Sequence, residues 1–326
     1  MHKRTSLNEF PDTNLNILAT AEKGHRLNRY FISALEARWR SWIETELTTA
    51  LQPAQDIDEF TQQDVRILLA GFADSSRRLQ RLALSHGSVW IKRYGTERSS
   101  VWRSVQTVFA AVIPFTFLRP SPKLNHRDMI SREVRRMETF REKGFLTPSI
   151  IYRSPTAIIL SDAGETVAAR LAELAATDPL AHDALLINCA GELGRLHAAG
   201  LCHGRPHPRD FVLNGEAMLY LDFEEEPEAV MPLAVAQARD IWLLLFQIAS
   251  TANSRVKSMN DAYGAWVAKA PSEAAEELRK LIRFLRLLLP IARIVNRVRA
   301  GQDITRFVVA MTCLMMQPSI MDVLNM

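Results

Sequence analysis

The spacing of hydrophobic residues changes period several times along the chain. Leu27, Tyr30, Phe31, Leu35, Trp39, Trp42 and Ile43 recur at helical spacing, and Pro53 with the polar stretch 55–58 closes the run. Residues 1–60 therefore read as a helical N-terminal extension. From Val65 onward short strand-like runs appear at 65–69, 79–84 and 89–94, with Ser-His-Gly-Ser at 85–88 as a turn between the last two. A polar, proline-bearing break at 119–123 precedes an amphipathic helical segment, 127–143, which Gly144 and Pro148 end. Residues 150–152 and 157–160 read as a further strand pair. After residues 161–164 the pattern turns helical. In 181–199, Leu185, Leu186, Cys189, Leu193 and Leu196 share one face and Gly200 supplies the stop. Met311, Met315 and Met316 read as core. Strands first and helices after is the order of an α+β protein with segregated layers.

Composition narrows this only slightly. The 326 residues are 48% hydrophobic and 23% charged, which fits a folded chain rather than a disordered one. A net charge of +4 is compatible with an anionic partner: a nucleotide, a phospholipid surface or a nucleic acid. Cys189, Cys202 and Cys313 are too few and too scattered for a disulfide framework or a zinc site, so a reducing cytoplasm is the expectation. The first ten residues begin basic with no apolar stretch behind them, unlike a secretory signal. The longest charge-free run, 104–118, is shorter than the ~20 residues a spanning helix needs.

The chemistry-bearing stretch is 203–224. It reads His-Gly-Arg-Pro-His-Pro-Arg-Asp-Phe-Val-Leu and, after a short hairpin, Leu-Tyr-Leu-Asp-Phe-Glu. A kinase-type catalytic loop reads His-Gly-Asp or His-Arg-Asp, with an Asn five positions later and an Asp-Phe-Gly or Asp-Phe-Glu after the hairpin. Here Arg205 stands at the base position, Asp210 at the Asn position and Asp222 at the metal position. Upstream, residues 89–94 form an apolar strand carrying Lys92, and the following helix offers Glu133 as its partner, with Glu138 as the alternative. Phosphoryl transfer from ATP is mostly positioning plus neutralisation of phosphate charge. A strand lysine, a helix acid to hold it and two oxygen ligands for a metal are therefore the parts to look for. Each residue taken singly is more often an ordinary surface charge, and the collinear order is what gives the set weight.

Taken together, these residues resemble the lipopolysaccharide kinase group of kinase-like proteins over about residues 65–250. The resemblance rests on Lys92, Glu133, the strand exit at 159–162, His203-Gly204 with His207-Pro208, Asp222-Phe223-Glu224, and Arg239-Asp240-Ile241-Trp242. It implies a two-lobed kinase-like fold: a helical extension at 1–60, a strand-rich N-lobe at 61–162 with an insertion near 99–125, and a helical C-lobe at 163–326. It implies ATP and Mg²⁺ as cofactors. Lys92, Glu133, Gly71 and Ser75 would meet the nucleotide, Asp222 and Asp210 the metal, and Arg205, Asp210 and His207 the reacting groups. It also implies that Asp240 hydrogen-bonds back to the catalytic loop.

Two departures qualify this. Residues 70–76 carry one glycine, Gly71, where a glycine-rich phosphate loop would lie, and Arg205 removes the usual proton acceptor, whose loss typically costs ~10²–10⁴-fold. Asp210 retains an oxygen ligand and adds a charge that Arg205 would balance, a compensated swap with His207 or Asp210 left to orient an acceptor. The alternative is a non-catalytic kinase-like regulator. The acceptor, whether lipid-linked sugar, small molecule or protein, is not legible.

Residues 278–299 carry arginines at 279, 283, 286, 293, 297 and 299 beside an apolar stripe interrupted by Pro290. That pattern matches a helix resting on the anionic inner face of a membrane, but a basic helix packed on a core gives the same pattern and is the favoured reading. Aromatics are not interleaved with the arginines, so nucleic acid is the less favoured partner.

Overall fold

The computed structural model describes residues 60–73, 77–95, 117, 119, 121–122, 124–215, 217–298 and 301–315. The extension expected at 1–60 lies almost wholly outside these residues. So do Ser75, Met316, most of the expected insertion and most of the charge-free run at 104–118. The described part is mixed α+β with few, short strands. By packing, the chain divides into two compact units, one ending at Ile91 and the other beginning at Lys92.

The first unit holds helix α1 (Gln62–Ala73), strand β1 (Leu79–Leu84) and most of strand β2 (Gly87–Arg93). Residues 65–69, expected as a strand, are instead inside α1. Val65 and Leu68, three positions apart and both buried, are the face that helix turns inward. A short apolar run is readable either way until its partners are known. Gly71 is also inside α1 rather than in a phosphate-covering loop. A Cβ there would come within 2.6 Å of Leu82 and 3.0 Å of Ile91, so its small size serves packing against the hairpin. Asp64 closes the unit. Its carboxylate accepts from the Ser85 N–H at 2.8 Å and the Thr61 N–H at 3.0 Å, tying the start of α1 to the β1–β2 turn.

In the second unit, the end of β2 runs beside strand β4 (Ala157–Ser161), where the Tyr94 N–H donates to the Thr156 carbonyl at 2.9 Å. Strand β3 (Ile150–Arg153) pairs antiparallel with β4. Helix α2 (His126–Glu142) starts where the Asn125 side chain accepts from the Asp128 N–H at 2.9 Å. It buries Ile130 and Val134 against Tyr94 and Ile158.

The larger core is helical. Helices α3 (Val167–Thr177) and α4 (Pro179–Ala198) are followed by a hairpin of β5 (Phe211–Asn214) and β6 (Ala217–Tyr220). Helices α5 (Leu233–Thr251), α6 (Arg255–Val267), α7 (Ser272–Val298) and α8 (Gln302–Met315) complete the chain. The start and end of α4 follow local rules. Asp178 accepts from the Leu180 and Ala181 N–H groups, Pro179 takes the first turn, and Gly200 adopts φ +77° just past the end. α4 lies close against α6: a Cβ on Gly194 would sit 2.7 Å from the Trp266 carbonyl oxygen. α5 is long and apolar enough to cross a membrane by composition, but its Ile241, Leu244, Leu245 and Ile248 are fully buried among α6, α7 and α8.

α7 does not break at Pro290 as its sequence suggests. The proline removes one helix hydrogen bond, to the carbonyl of Arg286, and both residues lie on the exposed side where water can replace it.

Candidate functional site

Lys92 lies at the end of β2, where Val89, Ile91 and Tyr94 are buried and Lys92 is itself only 8% exposed. A lysine at that depth needs partners, and it has three. Its Nζ is 2.8 Å from Glu133 Oε1 on α2, 3.0 Å from Asp222 Oδ1 just after β6, and 2.8 Å from Glu224 Oε1. Burial alone would lower the Lys92 pKa, but Glu133, Asp222 and Glu224 outweigh it and hold the ammonium well above its usual range. The other Glu133 oxygen accepts from the Tyr94 hydroxyl, so both oxygens of this fully buried carboxylate are engaged. Burial raises the Glu133 pKa, with the Lys92 charge opposing.

Asp222 has φ +59°, the only non-glycine residue with positive φ among the described residues. Burial opposes its ionisation, and the Lys92 charge and hydrogen bond, with Arg205, overcome that to hold its carboxyl well below the usual range. Phe223 turns inward from the same bend. Its ring meets Phe140 of α2 edge-on at 4.7 Å and His203 at 6.0 Å. The helix carrying Glu133, the loop beginning at His203 and the bend carrying Asp222 thus share one aromatic cluster.

The 203–210 loop is fixed from below. Asp240, the eighth residue of α5, has no exposed surface. It accepts from the His203 N–H at 2.5 Å and the Gly204 N–H at 2.9 Å. Trp266 Nε1–H donates to His197 Nδ1 at 3.0 Å, so His197 carries its proton on Nε2 and presents it to Asp240 at 3.4 Å. Gly204 has φ +99°, and a Cβ there would come within 2.8 Å of Glu225 Cβ. The His203 Nε2–H donates to the Leu221 carbonyl at 3.0 Å, and burial lowers the pKa of this ring, which keeps it neutral. From α2, Arg136 donates to the Cys202 carbonyl at 2.6 Å and pairs with Glu228.

The structure thus brings Lys92, Glu133, Asp222, Arg205 and Asp210 together. It rearranges the expected Arg205–Asp210 swap. Arg205 Nη2 stands 3.7 Å from Asp222 Oδ2, whereas Asp210 Oδ1 is 3.5 Å from Arg209 Nε. The reason is reach: Asp210 sits in a 3₁₀ turn, Pro208–Asp210, only 5% exposed, while the Arg205 side chain is half-exposed above it. Asp210 Oδ2 is buried without a hydrogen-bond partner. Burial, then the Asp222 charge, push the Asp210 pKa up to about 7.

His207, expected to orient an acceptor, is tied through one ring nitrogen into its own loop. Its Nδ1 accepts the Arg209 N–H at 3.1 Å to cap the 3₁₀ turn. Burial and the charges of Arg209, Arg205 and Arg306 lower its pKa to about 4, so it is neutral at pH 7 with Nδ1 occupied. Gly71 belongs to the first unit, in the helical packing role described above.

Sequence reasoning gave no role to Tyr94, Arg136, Glu228, His197 or Trp266. Each acts on a partner far away in the chain, and nothing local marks it. Glu224 was legible as part of the Asp-Phe-Glu motif but not as a partner of Lys92.

No group of three or more His, Cys, Asp or Glu side chains able to hold a metal occurs among the described residues. Asp222 and Asp210 offer two carboxylates, the number Mg²⁺ takes from a protein when phosphates and water fill its other positions. The unpartnered Asp210 Oδ2, with its affinity for a proton near neutrality, fits a site that accepts a cation. Comparison with protein-family models and with curated protein sequences finds no match.

Proposed function

We propose that the protein is an ATP-dependent phosphotransferase of the kinase-like type, acting on a hydroxyl of a lipopolysaccharide-type sugar or of another small-molecule or protein acceptor. One observation carries this reading. Lys92 is held by Glu133, 41 residues on, and by Asp222, 130 residues on, at 2.8 and 3.0 Å in a buried setting. Joining a strand lysine, a helix acid and a carboxylate on a strained bend serves no evident purpose in packing alone. It supplies what phosphate positioning needs.

In this reading Glu133 and Tyr94 hold the Lys92 ammonium in place, and Lys92 orients the phosphates. Asp222 and Asp210 would hold Mg²⁺, which when bound neutralises charge on the phosphate oxygens. Arg205 adds a permanent positive charge beside Asp222 but cannot take a proton. Asp210, ionised when it holds Mg²⁺, would orient the acceptor hydroxyl with its second oxygen, and the acceptor proton would pass to water. In a loose transition state this proton transfer is a minor share of the barrier, so the missing aspartate at position 205 lowers the rate without removing the main catalytic terms.

Arg205 favours a second reading, in which the fold binds nucleotide without turnover and serves as a regulator. The two share a binding step and differ in ADP release. Saturating ATP·Mg²⁺, at about 100 times its dissociation constant, should stabilise the protein by ~2.7 kcal/mol, and Lys92→Ala and Asp222→Asn should abolish that shift. No shift in the wild type at millimolar nucleotide, or an unchanged shift in Asp222→Asn, would refute nucleotide binding. A full shift with no ADP release on any acceptor favours the regulator.

A further inference from the structure

One face of α7 is spent on the core, through Leu278, Leu281, Ile282, Leu285 and Leu289. The opposite face is apolar too, and it is uncovered. Leu287 is 71% exposed, Ile291 and Ile294 61% each, and Val295 40%. At 100° per residue, positions 287, 291, 294 and 295 form one continuous stripe. Exposed Arg286, Arg293 and Arg297 recur along one edge of that stripe, Arg293 also reaching Thr312 Oγ1 at 3.4 Å. From residue 278 to 302 the sequence contains no aspartate or glutamate, so no acidic residue of this segment offsets the row.

We propose that this face of α7 docks on an anionic phospholipid surface, with Leu287, Ile291, Ile294 and Val295 entering the headgroup boundary and Arg286, Arg293 and Arg297 meeting lipid phosphates. An apolar stripe of this kind is not what a nucleic-acid backbone needs, and a row of exposed arginines along one edge is not what a second copy of the same face would tolerate. A lipid surface satisfies both, since it offers apolar depth beside negative charge. The inference stands on α7 alone and is independent of the nucleotide site.

The test is sedimentation of the full chain with vesicles of phosphatidylcholine alone and of phosphatidylcholine containing 30% phosphatidylserine. Wild type should partition onto the anionic vesicles and weaken as salt rises. Removing two arginines, at ~1 kcal/mol each near such a surface, should weaken partitioning about 30-fold in Arg286→Ala/Arg297→Ala. Leu287→Asp/Ile291→Asp should abolish it with the circular dichroism spectrum unchanged. Should either variant misfold, Leu287→Ser/Ile291→Ser and the salt series supply the same two comparisons. Wild type remaining in the supernatant with anionic vesicles overturns the proposal. So does loss of binding on arginine removal with none on removal of the apolar pair, which marks a purely electrostatic polyanion site. A concentration-dependent dimer, lost in the apolar variant and without vesicle binding, also overturns it in favour of self-association.

Discussion

Asp210→Asn tests the charge balance at the site and restores the asparagine of the conventional loop. In the folded chain the Asp210 carboxyl has a pKa of about 7, against the ordinary value of 3.8, because burial and then Asp222 disfavour its charge. A carboxyl whose folded pKa is raised holds its proton in the folded state after the unfolded chain has lost it. Its stabilising effect is therefore complete below the unfolded value and is lost as pH rises through the folded one. Between 3.8 and about 7 the loss runs at 1.36 kcal/mol per pH unit, about 4 kcal/mol in all. Asparagine mimics the protonated form and escapes this loss. In EDTA, urea unfolding followed by tryptophan fluorescence should show Asp210→Asn ahead of wild type by a margin that grows from pH 5 to 7 and levels above 7. Parallel stability curves for the two proteins across that range would refute the account of a buried, destabilised carboxylate. If Asp222 and Asp210 hold Mg²⁺ as proposed, millimolar Mg²⁺ at pH 8 should narrow the gap by binding only the wild-type pair, and an unchanged gap would remove Asp210 from that proposed site.

The other expectations concern the supports. Lys92→Met strips Glu133 of its counter-charge inside the protein and should cost ~3–5 kcal/mol; adding Glu133→Gln should recover part of it, and strictly additive urea midpoints would refute the coupling. Asp240→Ala leaves the His203 and Gly204 N–H groups buried without acceptors and should cost ~3 kcal/mol or more, with Asp240→Asn milder; a loss under ~1 kcal/mol in thermal or urea unfolding would mean the loop is held otherwise. Gly204→Ala should lower the melting temperature clearly more than Gly200→Ala. Both positions have positive φ, but only at Gly204 does a Cβ meet neighbours, Glu225 Cβ at 2.8 Å and its carbonyl oxygen at 3.0 Å; equal shifts would show that backbone conformation alone governs both sites.

What was legible in the sequence follows how local its physical cause is. The β1–β2 hairpin, α2 and α4 were readable because turn residues and glycines within a few positions bound them, namely the Ser85–Ser88 turn, Gly144 and Gly200, whereas the caps Asn125 and Asp178 that start α2 and α4 emerge only from the structure. Residues 65–69 were not, because Val65 and Leu68 suit a strand or a helix equally until β1 is there to pack against. At the site the same division holds. Lys92, Glu133, Asp222 and Asp240 were readable as members of an ordered motif. The Tyr94 hydroxyl on Glu133 and the Arg136 guanidinium on the Cys202 carbonyl arise only once distant segments meet.

Asp222 shows why the missing part matters for function. An L-residue in the left-handed region costs roughly 1–2 kcal/mol, and glycine or asparagine would adopt it more cheaply. Nothing in the sequence marks position 222 as strained. The bend persists because its surroundings over-determine it: Phe223 is locked against Phe140 and His203, the Leu221 carbonyl accepts from His203, and the carboxylate lies between Lys92 and Arg205. Turning the backbone back would bury the carboxylate away from both cations or expel Phe223 from the aromatic cluster. These contacts hold one carboxylate in a fixed direction beside the Lys92 ammonium. That fixed pair makes the site's electrostatics a property of the whole helical core, reaching through Asp240 and His197 to Trp266. If nucleotide binds at Lys92 as proposed, Trp266→Phe, which removes the donor to His197, should reduce the ATP·Mg²⁺ thermal shift, and a shift equal to that of the wild type would refute this relay.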